Sequence, residues 1–483
     1  MWTHLLELAA IWIPIINLLF AAIVIFLERR NVGGTWAWLM LLLLLPFIGF
    51  LFYILFGQNL ARRKVYRIKP RNERLVRDEI AAQVRRIREG TFEYQDDGIK
   101  YYEPLIYMNL VSSYSPLTQD NKVSVIADGD EMMDRLVERI QSAADHVHLL
   151  YYKLAGDATG RRIIDALTER AANGVEVRLL YDDIGSPALK DRDLAALREA
   201  GGEVFRFFPS RIPYLNLRVN YRNHRKIAVM DGKVGFVGGF NIGDEYVGFD
   251  PKIGHWRDTH LELQGGAVHR LQGQFLLDWS IASEQYLAFN ERYFPTPVHT
   301  GNTAVQIVSS GPDSDKQQIR NALLKLIFEA KDRIYVQTPY LVPDDSVLIA
   351  LKVAVQSGVD VRIMIPKKGD SHLVQWASNA YLGELLRAGA KCYWYEKGFL
   401  HAKTMVVDGW AATVGTANLD HRSFSLNFEV NAFLYDKAVA GELDKLFEQD
   451  MKESIVLNWN TYQKRSIRHR FVESIARLVS PIL

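Results

Sequence analysis

The 483 residues suffice for roughly two to four folded units and exclude a single small module. Hydrophobic residues make up 48% and charged residues 24%, and 58 Lys+Arg against 56 Asp+Glu leave a formal charge of +2. That balance is wrong for a chain that coats nucleic acid or stays disordered through acidity. A lone cysteine, Cys392, excludes an internal disulfide and a multi-cysteine zinc site.

The N-terminus comes first. Residues 8–27 carry no charge and one polar side chain, Asn17, and at about 1.5 Å per residue they reach across a hydrocarbon core of about 30 Å. After Glu28, Arg29, Arg30 and the turn-prone Gly33–Gly34, a second apolar stretch runs over residues 35–56, with Trp36, Trp38 and Tyr53 toward its ends, where interfacial aromatics are favoured. No basic residue precedes the first stretch and no small-x-small cleavage site follows it, against a cleaved signal peptide. The pair predicts a two-helix transmembrane hairpin over residues 1–57, then a basic juxtamembrane linker over 58–115. Two basic residues lie between the spans, whereas Arg62, Arg63, Lys64, Arg67, Lys69, Arg71, Arg74 and Arg77 follow the second, so the larger part of the chain is expected in the cytoplasm. Each of these basic residues gains about 1 kcal/mol near anionic lipid headgroups.

The remainder is duplicated. Residues 172–178 (ANGVEVR) recur as 356–362 (QSGVDVR), and 197–201 (LREAG) are echoed by 386–389 (LRAG). In each copy an amphipathic helix (132–143; 319–330) leads to an apolar strand (146–152; 333–338), a second helix and a second strand. Strand, helix, strand predicts an α/β fold with a mixed sheet flanked by helices, in tandem domains over 116–300 and 301–483. Cys392 corresponds to Val204 of the first copy and reads as a core strand residue.

Near the end of each copy stands the same pattern, H-x-K-x4-D-x6-G-x2-N: His224, Lys226, Asp231, Gly238 and Asn241, then His401, Lys403, Asp408, Gly415 and Asn418. One chance match in a chain of this length is expected on the order of 10⁻⁴ times. In an extended strand His and Lys two apart share a face, which sets a cation beside each histidine. The candidate catalytic set is His224, Lys226, Asp231, His401, Lys403 and Asp408. Within it Asp231 and Asp408, seven positions past their histidines, fall on the opposite strand face and take a structural or supporting role. Asn241 and Asn418 are the candidate phosphate-binding amides, with glycines before them for close backbone approach. Pseudo-twofold packing of the copies would gather two lysines and two asparagines around one tetrahedral anion. That clamp needs no metal or other cofactor, and a lysine beside each histidine argues against a divalent-ion site. One neutral histidine would attack phosphorus while the other, protonated, serves the leaving alcohol. The lysines depress both histidines, so the acid needs an opposing carboxylate; Asp258 and Glu429 are the candidates.

The paired motif resembles the phospholipase D superfamily. The two apolar spans, residues 338–344 (TPYLVPD), 418–429 (NLDHRSFSLNFE) and the closing 480–483 (SPIL) make the chain similar to bacterial cardiolipin synthases over essentially its whole length. The resemblance implies two tandem phospholipase D-like domains and phosphatidyl transfer between two phosphatidylglycerol molecules, releasing glycerol. It assigns Asp258 and Glu429 to orienting the histidines and favours His224 as nucleophile and His401 as acid. It implies phosphatidylglycerol and anionic membrane lipids as partners, no nucleic acid, and a multi-pass place in the bacterial cytoplasmic membrane. A membrane phospholipase D or phosphatidylserine synthase would use the same residues with water or serine, a nuclease fits the apolar spans and near-neutral charge poorly, and an inactive scaffold would not keep both motifs complete.

The copies differ. The first inserts a basic and apolar stretch over 211–222, including Arg211, Arg218, Tyr221 and Arg222, readable as a lip for lipid headgroups or as a plain hairpin. At the C-terminus Ile467, Phe471, Ile475 and Leu478 form one helical stripe among Arg465, Arg468, Arg470 and Arg477, the pattern of an interfacial helix or of one packed on the domain.

Overall fold

The computed structural model describes residues 2–26, 32–53, 73–209, 221–249, 254–285, 290–314, 316–478 and 480. The chain divides into two compact units, Met1–Lys69 with Phe208–Tyr221, and Pro70–Phe207 with Arg222–Leu483. The basic cluster up to Arg71 and the expected lip up to residue 220 lie outside the described residues.

In the first unit one helix runs Trp2–Phe26 and contains Pro14. The second apolar stretch, expected as one span, is two helices, Val32–Leu44 and Pro46–Phe52. Pro46 is the cause: it has no N–H, so the carbonyl of Leu42 loses its helical partner four residues on. Asn17 repairs the break. Its buried Nδ2 donates to Leu42 O at 3.0 Å and to Pro46 O at 2.8 Å, so the one polar side chain of the first stretch satisfies carbonyls that an apolar environment would leave bare. Val24, Trp38, Leu42 and Tyr53 pack around it with Phe20, while Ile11, Trp12, Leu18, Leu19, Leu44, Phe47 and Leu51 are exposed. Among the described residues no helix is long and apolar enough to cross a membrane.

The second unit carries the duplication. Its first half supplies β1 (Thr118–Ile126), β2 (His146–Tyr151), β3 (Glu176–Asp182), β4 (Glu203–Phe207), β5 (Arg222–Asn223), β6 (Ile227–Met230), β7 (Val234–Gly238), β8 (His255–Arg257) and β9 (His260–Gln264). The second supplies β10 (Thr303–Ser310), β11 (Arg333–Gln337), β12 (Leu341–Val342), β13 (Asp360–Pro366), β14 (Lys391–Tyr395), β15 (Gly398–Leu400), β16 (Thr404–Val407), β17 (Ala411–Gly415), β18 (Leu419–Asp420), β19 (Asn427–Tyr435) and β20 (Ser454–Val456). One sheet runs β20-β14-β13-β11-β16-β17-β19-β10-β1-β9-β7-β6-β2-β3-β4. Apart from β20 at one edge, its order reads the same outward from the antiparallel β1–β10 joint, which is what a pseudo-twofold axis between the halves requires. In each half the strands of the βαβ units pair parallel (β2–β3–β4; β11–β13–β14) and those nearer the joint antiparallel. Val204 sits opposite Leu179 and Cys392 opposite Ile363, so the buried cysteine occupies the core strand position expected.

Apolar helix faces cover the sheet and form a main core in each half, with a smaller cluster around Tyr335, Tyr393 and Phe447 in the second. The second core also takes Ile80, Ile87, Leu105, Ile106 and Leu110, from the helices Glu73–Arg88 and Glu103–Ser113. The stretch expected as linker is therefore folded from residue 73 onward and buries one apolar face, because apolar residues such as Ile80 and Ile87 recur at helical spacing and the second half offers them a face.

Candidate active site

The H-x-K tripeptides are not strand residues. Residues 224–226 link β5 to β6 and residues 401–403 link β15 to β16. Each lysine turns back on its own histidine: Lys226 Nζ donates to His224 O at 2.8 Å and Lys403 Nζ to His401 O at 2.5 Å.

The short strands before the histidines cross to the other half. β5 pairs parallel with β19 and β15 with β8, and the ladders continue into the histidines themselves, His224 N donating to Phe428 O at 3.0 Å and His401 N to Arg257 O at 2.7 Å. Each histidine thereby lies against the carboxylate of the opposite copy. His224 Nδ1 is 3.0 Å from both oxygens of Glu429, and His401 Nδ1 is 2.5 Å from Asp258 Oδ2. With Nδ1 held in this way, Nε2 is the nitrogen left for chemistry. The two half-sites form one composite centre, all of it buried.

Asp231 and Asp408 do other work. Both adopt left-handed backbone, φ 54° and 53°, where aspartate is tolerated better than most residues. The Asp231 carboxylate accepts from the N–H groups of Ala144, Asp145 and His146, and that of Asp408 from Lys331, Asp332 and Arg333. They fasten the start of β2 and of β11 to the turn after β6 and after β16. Each of these carboxylates is spent on three backbone N–H groups, which is a structural task.

The carboxylates are seated differently. Thr416 Oγ1 donates to Glu429 Oε2 at 2.5 Å and Asn427 Nδ2 to Oε1 at 3.1 Å. The residue matching Thr416 in the first motif is Gly239, where a Cβ would lie 1.9 Å from Asp258 Oδ1; Asp258 instead accepts from Thr259 N at 2.7 Å.

Sequence reasoning missed two arginines. Arg225, inside the first motif, forms a buried pair with Asp278 and donates through Nε to Glu429 O at 3.1 Å. The matching position in the second motif is Ala402, which cannot do the same for Asp258. Arg257 replaces it, pairing with Asp450 and donating to Asp258 O. Both histidine-facing carboxylates thus have their backbone gripped by a buried guanidinium. The available signal was an aspartate about twenty residues past each carboxylate, on the helices Ala267–Ser283 and Lys437–Lys452.

Each asparagine amide is partly engaged, and Asn418 Oδ1 is buried with no partner among the described residues. Asn241 Nδ2 donates to Tyr246 OH at 3.1 Å and its Oδ1 accepts from Lys153 N; Asn418 Nδ2 donates to Asp420 at 3.2 Å. Each Nδ2 carries a second N–H, so either can donate to a phosphate oxygen while keeping its protein partner.

Burial, backed by Lys226 and Lys403, depresses His224 against the pull of Glu429, and burial with Lys403 depresses His401 against Asp258. Burial alone would raise the two carboxyls, but the facing histidines and lysines outweigh it and hold both below the usual range. Burial also lowers Lys226 to about 7, with Lys403 adding repulsion, and Lys403 to about 8. These residues on their own therefore comprise neutral imidazoles, ionised carboxylates and lysines that hold their protons weakly.

Two family models match: "Cardiolipin synthase, PLD-like domain" over residues 136–250 and 323–451, and "Phospholipase_D-nuclease N-terminal" over residues 15–58. A cardiolipin synthase of Listeria monocytogenes serotype 4a (strain HCC23) is 47% identical over 470 residues, 97% of this chain and 98% of that protein. The major cardiolipin synthase ClsA of Bacillus subtilis (strain 168) matches with the same identity and coverage. In fold the chain is similar to the phosphatidylserine synthase of Haemophilus influenzae Rd KW20, with a TM-score of 0.63 at 14% identity, over 80% of this chain and 100% of that one. With both halves matched by one domain model and relatives this similar along nearly its full length, the chain belongs to the phospholipase D-like cardiolipin synthase family.

Proposed function

We propose that the protein is a membrane-anchored cardiolipin synthase that moves a phosphatidyl group from one phosphatidylglycerol to another. The observation that carries this reading is the crossed pair of histidine–carboxylate contacts around two buried lysines, in a chain of this family. Neutral His224, its Nδ1–H on Glu429, directs Nε2 at phosphorus. The Nε2–P bond forms as the bond from phosphorus to the headgroup glycerol oxygen breaks, and His401 gives that oxygen its proton. The terminal hydroxyl of a second phosphatidylglycerol then loses its proton to His401 and attacks phosphorus, and the Nε2–P bond breaks. One phosphodiester is consumed and one made, so cardiolipin and glycerol form without a nucleotide.

Family resemblance supports the proton-carrying role for His401, and its Nδ1 contact with Asp258 at 2.5 Å orients the ring for it. The negative charge of the arriving phosphodiester offsets the two lysines and returns a proton to His401. Lys226 and Lys403 then stabilise the phosphoryl oxygens, with Asn241 and Asn418 as further donors. The exposed apolar side chains of the first unit and the Asn17 repair of the Pro46 break support a hairpin anchored in lipid, and the basic residues after it support a catalytic part facing the cytoplasm of a bacterium.

Incubating the purified protein with phosphatidylglycerol alone tests the reading. Cardiolipin and glycerol should appear in equal amounts, and neither with His224→Ala or His401→Ala. Phosphatidic acid without cardiolipin would show water as the acceptor and refute it.

A further inference from the structure

The helix Ile467–Leu478 turns two unlike faces outward and inward. Glu473 and Ala476 are buried, Arg465 Nη1 reaches Glu473 Oε1 at 2.5 Å, Arg477 pairs with Glu384, and Tyr381 OH bonds Ser480 Oγ at 2.9 Å. These contacts seat the helix on the helix His372–Ala388. On the opposite side, spaced i, i+4, i+8 and i+11, Ile467, Phe471, Ile475 and Leu478 are 83%, 65%, 45% and 80% exposed. Packing on the domain and presenting an apolar stripe, which the sequence left as alternatives, are both true of this helix.

Four large apolar side chains held in water on an anchored helix are costly unless something covers them. At 3.6 residues per turn, Arg468 flanks the stripe on one side and Arg470 on the other, and both are exposed. An apolar stripe between two basic edges fits a bilayer surface, with the stripe among the acyl chains and arginine heads rising to acidic headgroups.

We infer that this helix lies in the plane of an anionic membrane surface, as a contact of the catalytic unit with lipid separate from the N-terminal apolar stretches. The proposal goes beyond the synthase reading and needs no turnover for its test. The full chain already carries a suitable background, because its one cysteine is buried. Phe471→Cys, Ile475→Cys and, on the exposed face of another helix, Glu138→Cys would each be labelled with an environment-sensitive fluorophore and reconstituted into phosphatidylcholine vesicles with and without phosphatidylglycerol.

In the vesicles containing phosphatidylglycerol, the labels at 471 and 475 should be quenched by nitroxide-labelled acyl chains at least about threefold more than the label at 138, and shielded from aqueous iodide. The acyl quenching should weaken without phosphatidylglycerol and at high salt. Iodide access at 471 and 475 equal to that at 138 would overturn the proposal. Shielding from iodide without acyl quenching would also overturn it, in favour of a second copy of the chain on the stripe. Acyl quenching indifferent to phosphatidylglycerol would overturn the anionic surface.

Discussion

Replacing Glu429 with Gln keeps the shape of the side chain and removes the charge that faces His224. The carboxylate is fully buried and 3.0 Å from Nδ1 through both oxygens. As Nε2 bonds phosphorus, the imidazole gains a positive charge about 4 Å from that carboxylate, an attraction of about 4 kcal/mol at an effective dielectric near 20. At about 1.4 kcal/mol per tenfold this is about three decades of rate. The amide still accepts a hydrogen bond from Nδ1–H, so part survives, and kcat should fall on the order of 10²- to 10³-fold with KM nearly unchanged. The assay is cardiolipin and glycerol formed from phosphatidylglycerol vesicles, with thermal unfolding to establish that the variant is folded. A folded Glu429→Gln enzyme with kcat within about threefold of the parent would refute the claim that this carboxylate stabilises charge on the histidine of the other copy.

Gly239→Ala should abolish turnover while Thr416→Val slows it, since the first drives a methyl into the Asp258 carboxylate and the second removes only a hydroxyl donor from Glu429; steady-state kinetics on folded protein decide. The depressed lysines set a pH limit. Their cations hold the phosphodiester and are lost as pH rises through about 7 for Lys226 and 8 for Lys403, so kcat/KM should fall across that window; a profile flat to about pH 10 would contradict it. Asp231→Ala should cost about 1–2 kcal/mol of stability by handing the Ala144, Asp145 and His146 N–H groups to water and leaving Ala on a left-handed backbone, read as a lower thermal midpoint. Full stability with lost turnover would instead make Asp231 a direct participant.

What the sequence made legible was local and repeated. The helices and strands of both copies fall close to their expected bounds, because apolar periodicity is read off neighbouring residues. His224, His401, Lys226 and Lys403 converge, because one motif occurring twice betrays a shared task. The crossed pairing was hidden, since His224 and Glu429 stand 205 residues apart and His401 and Asp258 143 apart, and only packing of β5 on β19 and β15 on β8 selects the partner. Arg257 escaped because it stands in for Ala402 from an unrelated position. The break before Pro46 was readable from the proline itself, but a window of hydropathy passes over it; its remedy through Asn17 required the tertiary contact.

The most direct measurement of the central claim is a trap for the covalent intermediate. His401→Ala would be mixed with a phosphatidyl ester of p-nitrophenol, whose leaving group needs no acid, and the protein analysed by mass spectrometry at neutral pH. Crossed half-sites with His224 as nucleophile predict release of one p-nitrophenol per chain and one phosphatidyl group retained on His224, because the base that activates the second alcohol is gone. Release of p-nitrophenol with no adduct on His224, or an adduct on another residue, would contradict the account.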